Sequence, residues 1–387
     1  MGQVRNSSGS ATVMEGAKRA VLALEDGTVF LGEGFGAEKE VFGEVVFNTS
    51  MYGYPELLTD PSYYEQIVVM TYPIIGSYGV PSYSRTDRYG VPLDFESDSI
   101  KVKGYAIHTL SRPSHWSSVK GLGEWLTEQG VPGIMGIDTR ALTQRIRTNG
   151  TMLGLLKVTN GHIEQDEVKE TLARVQDPNT MDLVRQVTVK EPVFYTGESP
   201  RMVVVVDCGA KFGIIRSLLA TGCSVVRVPY DYPVDRILDL NPCGLILSNG
   251  PGDPIRCQET IKATAELLET EIPMMGICLG SQILALAAGA QTYKLMFGHR
   301  AVNHPCMDLE TGRCHITTQN HGYSVDQSSL KDTDFQVSFI NVNDKTVEGI
   351  RHKTKKVLGV QWHPESSPGP QDTRFLFDRF LEGAVKA

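Results

Sequence analysis

The chain has 387 residues, 41% hydrophobic and 21% charged, an ordinary globular mix with material for about two to three domains. A lone small module, a disordered chain and a fibrous one are excluded. Lys plus Arg number 37 against 45 Asp plus Glu, a formal net charge of −8, so no basic field gathers nucleic acid or an anionic membrane surface. The apolar stretch 274–290 is interrupted by Ser281 and Gln282 and falls short of the ~18 to 20 residues of a membrane span. Residues 1–16 lack the apolar centre of a signal peptide, and Asn6 stands where a myristoylation signal takes Ser or Thr. The 7 cysteines, an odd number without a pair at metal-ligand or redox spacing, fit reduced thiols and a cytoplasmic location.

In chain order, residues 20–24 and 28–31 flank Glu25-Asp26-Gly27, which predicts a hairpin. Further strands are predicted at 41–47, 66–71, 100–107 and 152–158, with helices at 119–129 and 139–147. Asp138 can cap the second helix and Asn149-Gly150 can close it. Residues 15–160 therefore read as a β-rich α+β domain. Polar and charged sequence over 161–200, with one helical stretch and then Glu191-Pro192 and Ser199-Pro200, reads as a linker. From 201 to 387 the rhythm changes. Strands at 202–206, 224–228, 243–247 and 272–277 alternate with helices at 211–220, 234–240 and 255–268, the pattern of a doubly wound, mostly parallel α/β sheet.

The strongest chemical signal is Gly276-Ile277-Cys278-Leu279-Gly280, between an apolar strand and an apolar helical run over 281–288. A nucleophile elbow needs small flanking residues, because the nucleophile sits in a strained backbone turn above the sheet. A helix N-terminus beneath the sulfur favours thiolate, and the Leu279 N–H is aimed where an oxyanion would form. A buried structural cysteine is the bland alternative, and the paired glycines disfavour it. His363, in Val360-Gln361-Trp362-His363-Pro364-Glu365, is the candidate acid and base, with Glu365 placed to orient its ring. His321 is its rival. The loop Ser248-Asn249-Gly250-Pro251-Gly252-Asp253-Pro254 follows a predicted strand, at the rim where ligands bind in such sheets. Gly32-Glu33-Gly34-Phe35-Gly36 fails the dinucleotide fingerprint and no Walker A sequence is present, so no nucleotide site is expected.

Together, the 248–254 loop, Gly276-Ile277-Cys278-Leu279-Gly280-Ser281-Gln282, Gln319-Asn320-His321-Gly322-Tyr323 and His363-Pro364-Glu365 resemble the class I, or triad, glutamine amidotransferases, whose fold is flavodoxin-like. In the first half, residues 43–54, 58–63, 71–73 and 136–140 resemble the small subunit of glutamine-dependent carbamoyl-phosphate synthetase, as does Asp207-Cys208-Gly209-Ala210-Lys211 in the second. The likeness covers nearly the whole chain.

The resemblance implies that Cys278 attacks the side-chain amide of L-glutamine, giving a γ-glutamyl thioester. His363 then protonates the leaving ammonia and activates water, with Glu365 holding the ring. It further implies an oxyanion hole at Gly250 and Leu279. Ser50, Gly250, Gly252, Leu279, Gln282, Asn320, Gly322 and Tyr323 match glutamine-holding positions, Ser50 reaching over from the other domain. Ammonia would pass through a tunnel to a large synthetase subunit, or a fused synthetase region, carrying the ATP, magnesium and bicarbonate sites. The product would be carbamoyl phosphate for pyrimidine and/or arginine synthesis, with no cofactor and no metal in this chain. Ser281 departs from the histidine usual in these synthetases. The alternatives are another triad amidotransferase and a non-catalytic regulatory subunit.

Overall fold

The structure is a computed structural model that describes residues 18–172 and 175–385. In the first half seven strands close into a barrel. Their neighbour order is Lys18–Leu24, Val29–Gly36, Pro132–Met135, Gly104–Ala106, Gln66–Met70, Glu40–Asn48 and Met152–Thr159, the last pairing back onto the first. The expected hairpin is present as the antiparallel pair Lys18–Leu24 and Val29–Gly36. Alternate residues point inward, so Leu22, Leu24, Val45, Ile67, Ala106, Ile134 and Leu156 form one buried cluster with Leu142 and Ile146 of the helix Thr139–Asn149. Asp138 caps that helix through Ala141 N at 2.9 Å, and Gly150 ends it at φ +94°.

The sequence pattern overextends one strand and misses another. Residues 100–107 supply only Gly104–Ala106, and Pro132–Met135 goes unpredicted because Pro132 and Gly133 read as turn residues. Gly133 is required there by packing, since a Cβ would lie 2.5 Å from the Phe35 ring. The 161–200 segment carries more than one helix. Gln165–Leu172 places Val168 and Leu172 against Val21, Ala23 and Leu155 on the outside of the barrel, and Val193–Tyr195 joins the edge of the second sheet.

That second sheet has ten strands. Its centre is parallel, in the order Cys223–Pro229, Ser199–Asp207, Gly244–Leu247, Met274–Ile277 and Val357–Val360. Val203, Val204 and Val205 are wholly buried, as the β-branched run requires of a strand covered on both faces. The helices Phe212–Ala220, Gln258–Leu268 and Leu279–Ala287 follow three of these strands. Beyond Val357–Val360 the sheet continues antiparallel through Val347–His352, Phe335–Asn341 and the long pair Thr292–Asp308 and Cys314–Val325. Among the described residues no helix is long and apolar enough to cross a membrane.

Leu156 fills the barrel so closely that a Cβ on Gly104 would lie 2.8 Å from it. Leu156→Ala is expected to cost about 2–5 kcal/mol, read as a lower midpoint in denaturant unfolding. An unchanged midpoint would mean that the barrel interior collapses freely around the void.

Candidate active site

Cys278 lies just beyond the strand Met274–Ile277 and heads the helix Leu279–Ala287, with φ +54° and ψ −106°. A non-glycine residue in that region is strained by roughly 1–3 kcal/mol and persists only where its surroundings fix it. Here they do. Cys278 N donates to Val360 O at 2.8 Å, and the flanking glycines allow contacts that no side chain could. A Cβ at Gly276 would lie 2.5 Å from Gly280 O, and one at Gly280 would lie 2.1 Å from Leu247 O. The thiol is buried, with Asn320 O at 3.6 Å and Gln361 Nε2 at 3.7 Å from Sγ. Leu279 opens the helix, so its N–H is among those without an intrahelical acceptor.

His363 comes from beyond the end of the neighbouring strand, and this explains the meeting of two residues far apart in sequence. Met274–Ile277 and Val357–Val360 pair in parallel, so both chains leave the sheet at the same rim. His363 is completely buried; its Nδ1 is 2.7 Å from Glu365 Oε1. Its Nε2 is buried without a conventional hydrogen-bond partner, and the Cys278 side chain is among the groups acting on the ring. Burial pulls the ring's proton affinity down, but the Glu365 charge overcomes it and, with the Nδ1 hydrogen bond to Glu365 and the neighbouring Cys278 side chain, lifts the pKa to about 10. Glu365 is held in the opposite sense: burial would raise its pKa, yet Lys211 and His363 bring it down to about 2. Lys211 Nζ is 3.1 Å from Glu365 Oε1 and donates to Ser367 O at 2.9 Å. The rival His321 is engaged elsewhere, Nδ1 with Tyr323 O at 2.8 Å and Nε2 with Gln319 Oε1 at 3.2 Å.

The cavity at the thiol gathers most of the residues expected to line it: Gly250, Gly252, Leu279, Gln282, Asn320, Gly322 and Tyr323. Gly250 must be glycine, because a Cβ there would lie 2.1 Å from Cys208 O. Gln282 Nε2 is held by Tyr323 O at 2.8 Å and Gln361 Oε1 at 3.0 Å. Ser50 is placed differently. It lines an adjoining cavity with Glu56, Asp60, Lys211, His363 and Pro368, and Asn320 borders both spaces. Ser281 is buried and faces the strand behind, where a Cβ on Gly359 would lie 2.5 Å from its Oγ.

Several contributors carried no sequence signal of their own. Gln361 has no local motif of its own, and the barrel side of the cavity, formed by Glu44, Ser62, Gln66 and Thr151, becomes visible only once the halves meet. Lys294 Nζ pairs with Glu44 Oε1 at 2.7 Å across that junction. Among the described residues one set of metal-type donors gathers, His299, His321 and Glu348, with ligand atoms within 4.8 Å of one another. These side chains are bound into a hydrogen-bond network: His299 with Asp344 at 2.8 Å, Glu348 with Asn341 at 3.0 Å and Gln319 at 2.9 Å.

The arrangement is a strained cysteine at a helix N-terminus beside a histidine–carboxylate pair at the rim of a parallel sheet. The family described as glutamine amidotransferase class-I matches residues 204–382, so this part of the chain is a class I glutamine amidotransferase domain. The family described as carbamoyl-phosphate synthase small chain, CPSase domain, matches residues 22–156. A carbamoyl phosphate synthase small chain of Pyrococcus furiosus is 47% identical, over 94% of this chain and 97% of its own. One of Methanocaldococcus jannaschii is 49% identical, over 94% and 98%. An arginine-specific small chain of Aspergillus niger is 45% identical, over 97% and 83%. A solved glutamine amidotransferase of Thermotoga maritima is 17% identical with a TM-score of 0.40, covering 49% of this chain and 99% of its own. The chain belongs to the carbamoyl-phosphate synthase small chain family.

Replacing Glu365 by Gln removes the anion that lifts the His363 pKa and leaves burial and Lys211, which both lower it. The ring's pKa in Glu365→Gln is therefore expected to fall from about 10 towards or below its ordinary 6.5, followed by nuclear magnetic resonance of the imidazole. An unshifted titration would remove Glu365 as its counterion.

Proposed function

We propose that the chain hydrolyses L-glutamine through a Cys278 thioester and hands the ammonia to a synthetase partner that makes carbamoyl phosphate. The observation that carries this is the junction of the strained Cys278 with the His363–Glu365 pair, whose Nδ1–Oε1 distance is 2.7 Å. The His363 ring, bound to Glu365 through Nδ1, has Nε2 free to exchange a proton with sulfur, leaving ammonia and attacking water in turn. The thiolate attacks the amide carbon, and the carbonyl oxygen takes the charge beside the N–H groups of Gly250 and Leu279. Collapse expels ammonia with a proton from His363. Water, deprotonated by the same ring, then releases glutamate and restores the thiol.

Gly250, Gly252, Leu279, Gln282, Asn320, Gly322 and Tyr323 surround the space for the substrate, with Ser50 on the other side of Asn320. The adjoining cavity past His363, bordered by Ser367 and Pro368, supports an outlet for ammonia towards the partner. ATP, magnesium and bicarbonate belong to that partner, a large subunit or a fused synthetase region. The carbamoyl phosphate would serve pyrimidine and/or arginine synthesis. The reaction needs no cofactor or metal in this chain.

Cys278→Ala is expected to lower glutamine-dependent ammonia release by 10³-fold or more, by the logic of removing a nucleophile outright. Synthesis from added ammonia by the partnered enzyme should persist. Glutamine hydrolysis at the wild-type rate in Cys278→Ala would overturn the mechanism.

A further inference from the structure

The helix Phe212–Ala220 begins at Lys211 without a side-chain cap of its own. Its first donors are met by a residue of the other half: Glu96 O accepts from Phe212 N at 2.8 Å, and Glu96 Oε2 accepts from Gly213 N at 3.0 Å. Glu96 is wholly buried. It pairs with Arg216 through Oε1, while Lys211 Nζ lies 3.8 Å from Oε2 and 3.1 Å from Glu365 Oε1. Gly213 allows both carboxylates to converge, since a Cβ there would lie 2.8 Å from Glu96 Oε2 and 2.9 Å from Glu365 Cγ.

We infer that Glu96 is a positioning residue for glutamine hydrolysis, the carboxylate by which the barrel half fixes Lys211 and, through it, the charge balance of the Cys278–His363–Glu365 group. The inference rests on the proposed triad. Glu96 touches no reacting atom. Two cations, Lys211 and Arg216, here face two anions, Glu96 and Glu365, and of the four only Arg216 is partly exposed. Neutralising one member leaves an uncompensated charge whose field reaches the thiol and the imidazole. Asp60 acts on Lys211 from the barrel half, and Glu56 and Asp94 lie within the same field. Because Glu96 also caps the helix, undocking the barrel would unbalance the charges and fray the helix together.

The sign follows directly. Glu96→Gln keeps an acceptor for Gly213 N but adds one net positive charge, which favours thiolate and disfavours imidazolium. Every ionisation of the group then moves to lower pH. Alkylation of Cys278 by iodoacetamide in the full chain reports this whether or not glutamine is turned over. Its acid limb is expected to move to lower pH in Glu96→Gln. Glu96→Asp, which keeps the charge, should stay with the wild type. Arg216→Met, which removes a cation, should move the limb up, and it decides the matter if Glu96→Gln fails to fold. Superimposed profiles for Glu96→Gln and wild type, or shifts of one sign in Glu96→Gln and Arg216→Met, would overturn the inference. Such a result would leave the role of Cys278 in glutamine hydrolysis untouched.

Discussion

The constraint on which the molecule turns is a buried ammonium. Lys211 is 2% exposed, held between carboxylates from the two halves of the chain. Taking such ions out of water costs several kcal/mol each, and only close partners offset it. The partners are supplied across the junction, Glu96 by the barrel half and Glu365 by the segment that also carries His363. Removing either carboxylate by substitution while the halves stay docked strands a buried charge, at a cost of about 3–5 kcal/mol. The interface is thus maintained by the same group that holds Glu365 ionised.

The second constraint is backbone geometry at the sheet rim. Cys278 accepts a positive φ because the strand before it is pinned on one side by Val357–Val360 and on the other by Gly244–Leu247. The helix after it is drawn against the sheet by the close approach at Gly280. The pinning strand also delivers His363. One parallel pairing therefore both strains Cys278 and sets His363 beside it.

The sequence made this centre legible because its requirements are local. A glycine on either side of a cysteine, a strand before it and a helix after it fit in a short window, and so does His363 with Glu365 two residues on. The parallel strands were readable for a like reason, as uninterrupted runs such as Val203–Val206 buried on both faces. What escaped was set by distant partners. Barrel closure depends on pairing Met152–Thr159 with Lys18–Leu24, and no local pattern encodes that. Pro132–Met135 hides behind turn residues that packing against Phe35 demands. The antiparallel extension was missed because Thr292–Asp308 has a half-exposed, irregular pattern with register shifts, rather than clean alternation. Glu96 and Lys294 take their places only from partners in the other half of the chain.

That extension explains why a sheet enzyme of this kind carries a barrel. Cys314–Val325 lays Asn320, Gly322 and Tyr323 over the thiol, and Asn320 Nδ2 donates back to Asp60 Oδ2 of the barrel half at 3.1 Å. Asn249, in the loop beside Gly250, donates to Ser62 Oγ at 2.9 Å. With Lys294 and Glu44 at 2.7 Å, these contacts form a polar seam around the cavity. Hydrogen bonds weaken steeply as their geometry opens, whereas apolar contacts tolerate sliding. A seam of this composition therefore fixes the halves in one register. The barrel then serves as a wall of the site whose position sets both the width of the cavity and the charge felt at its base.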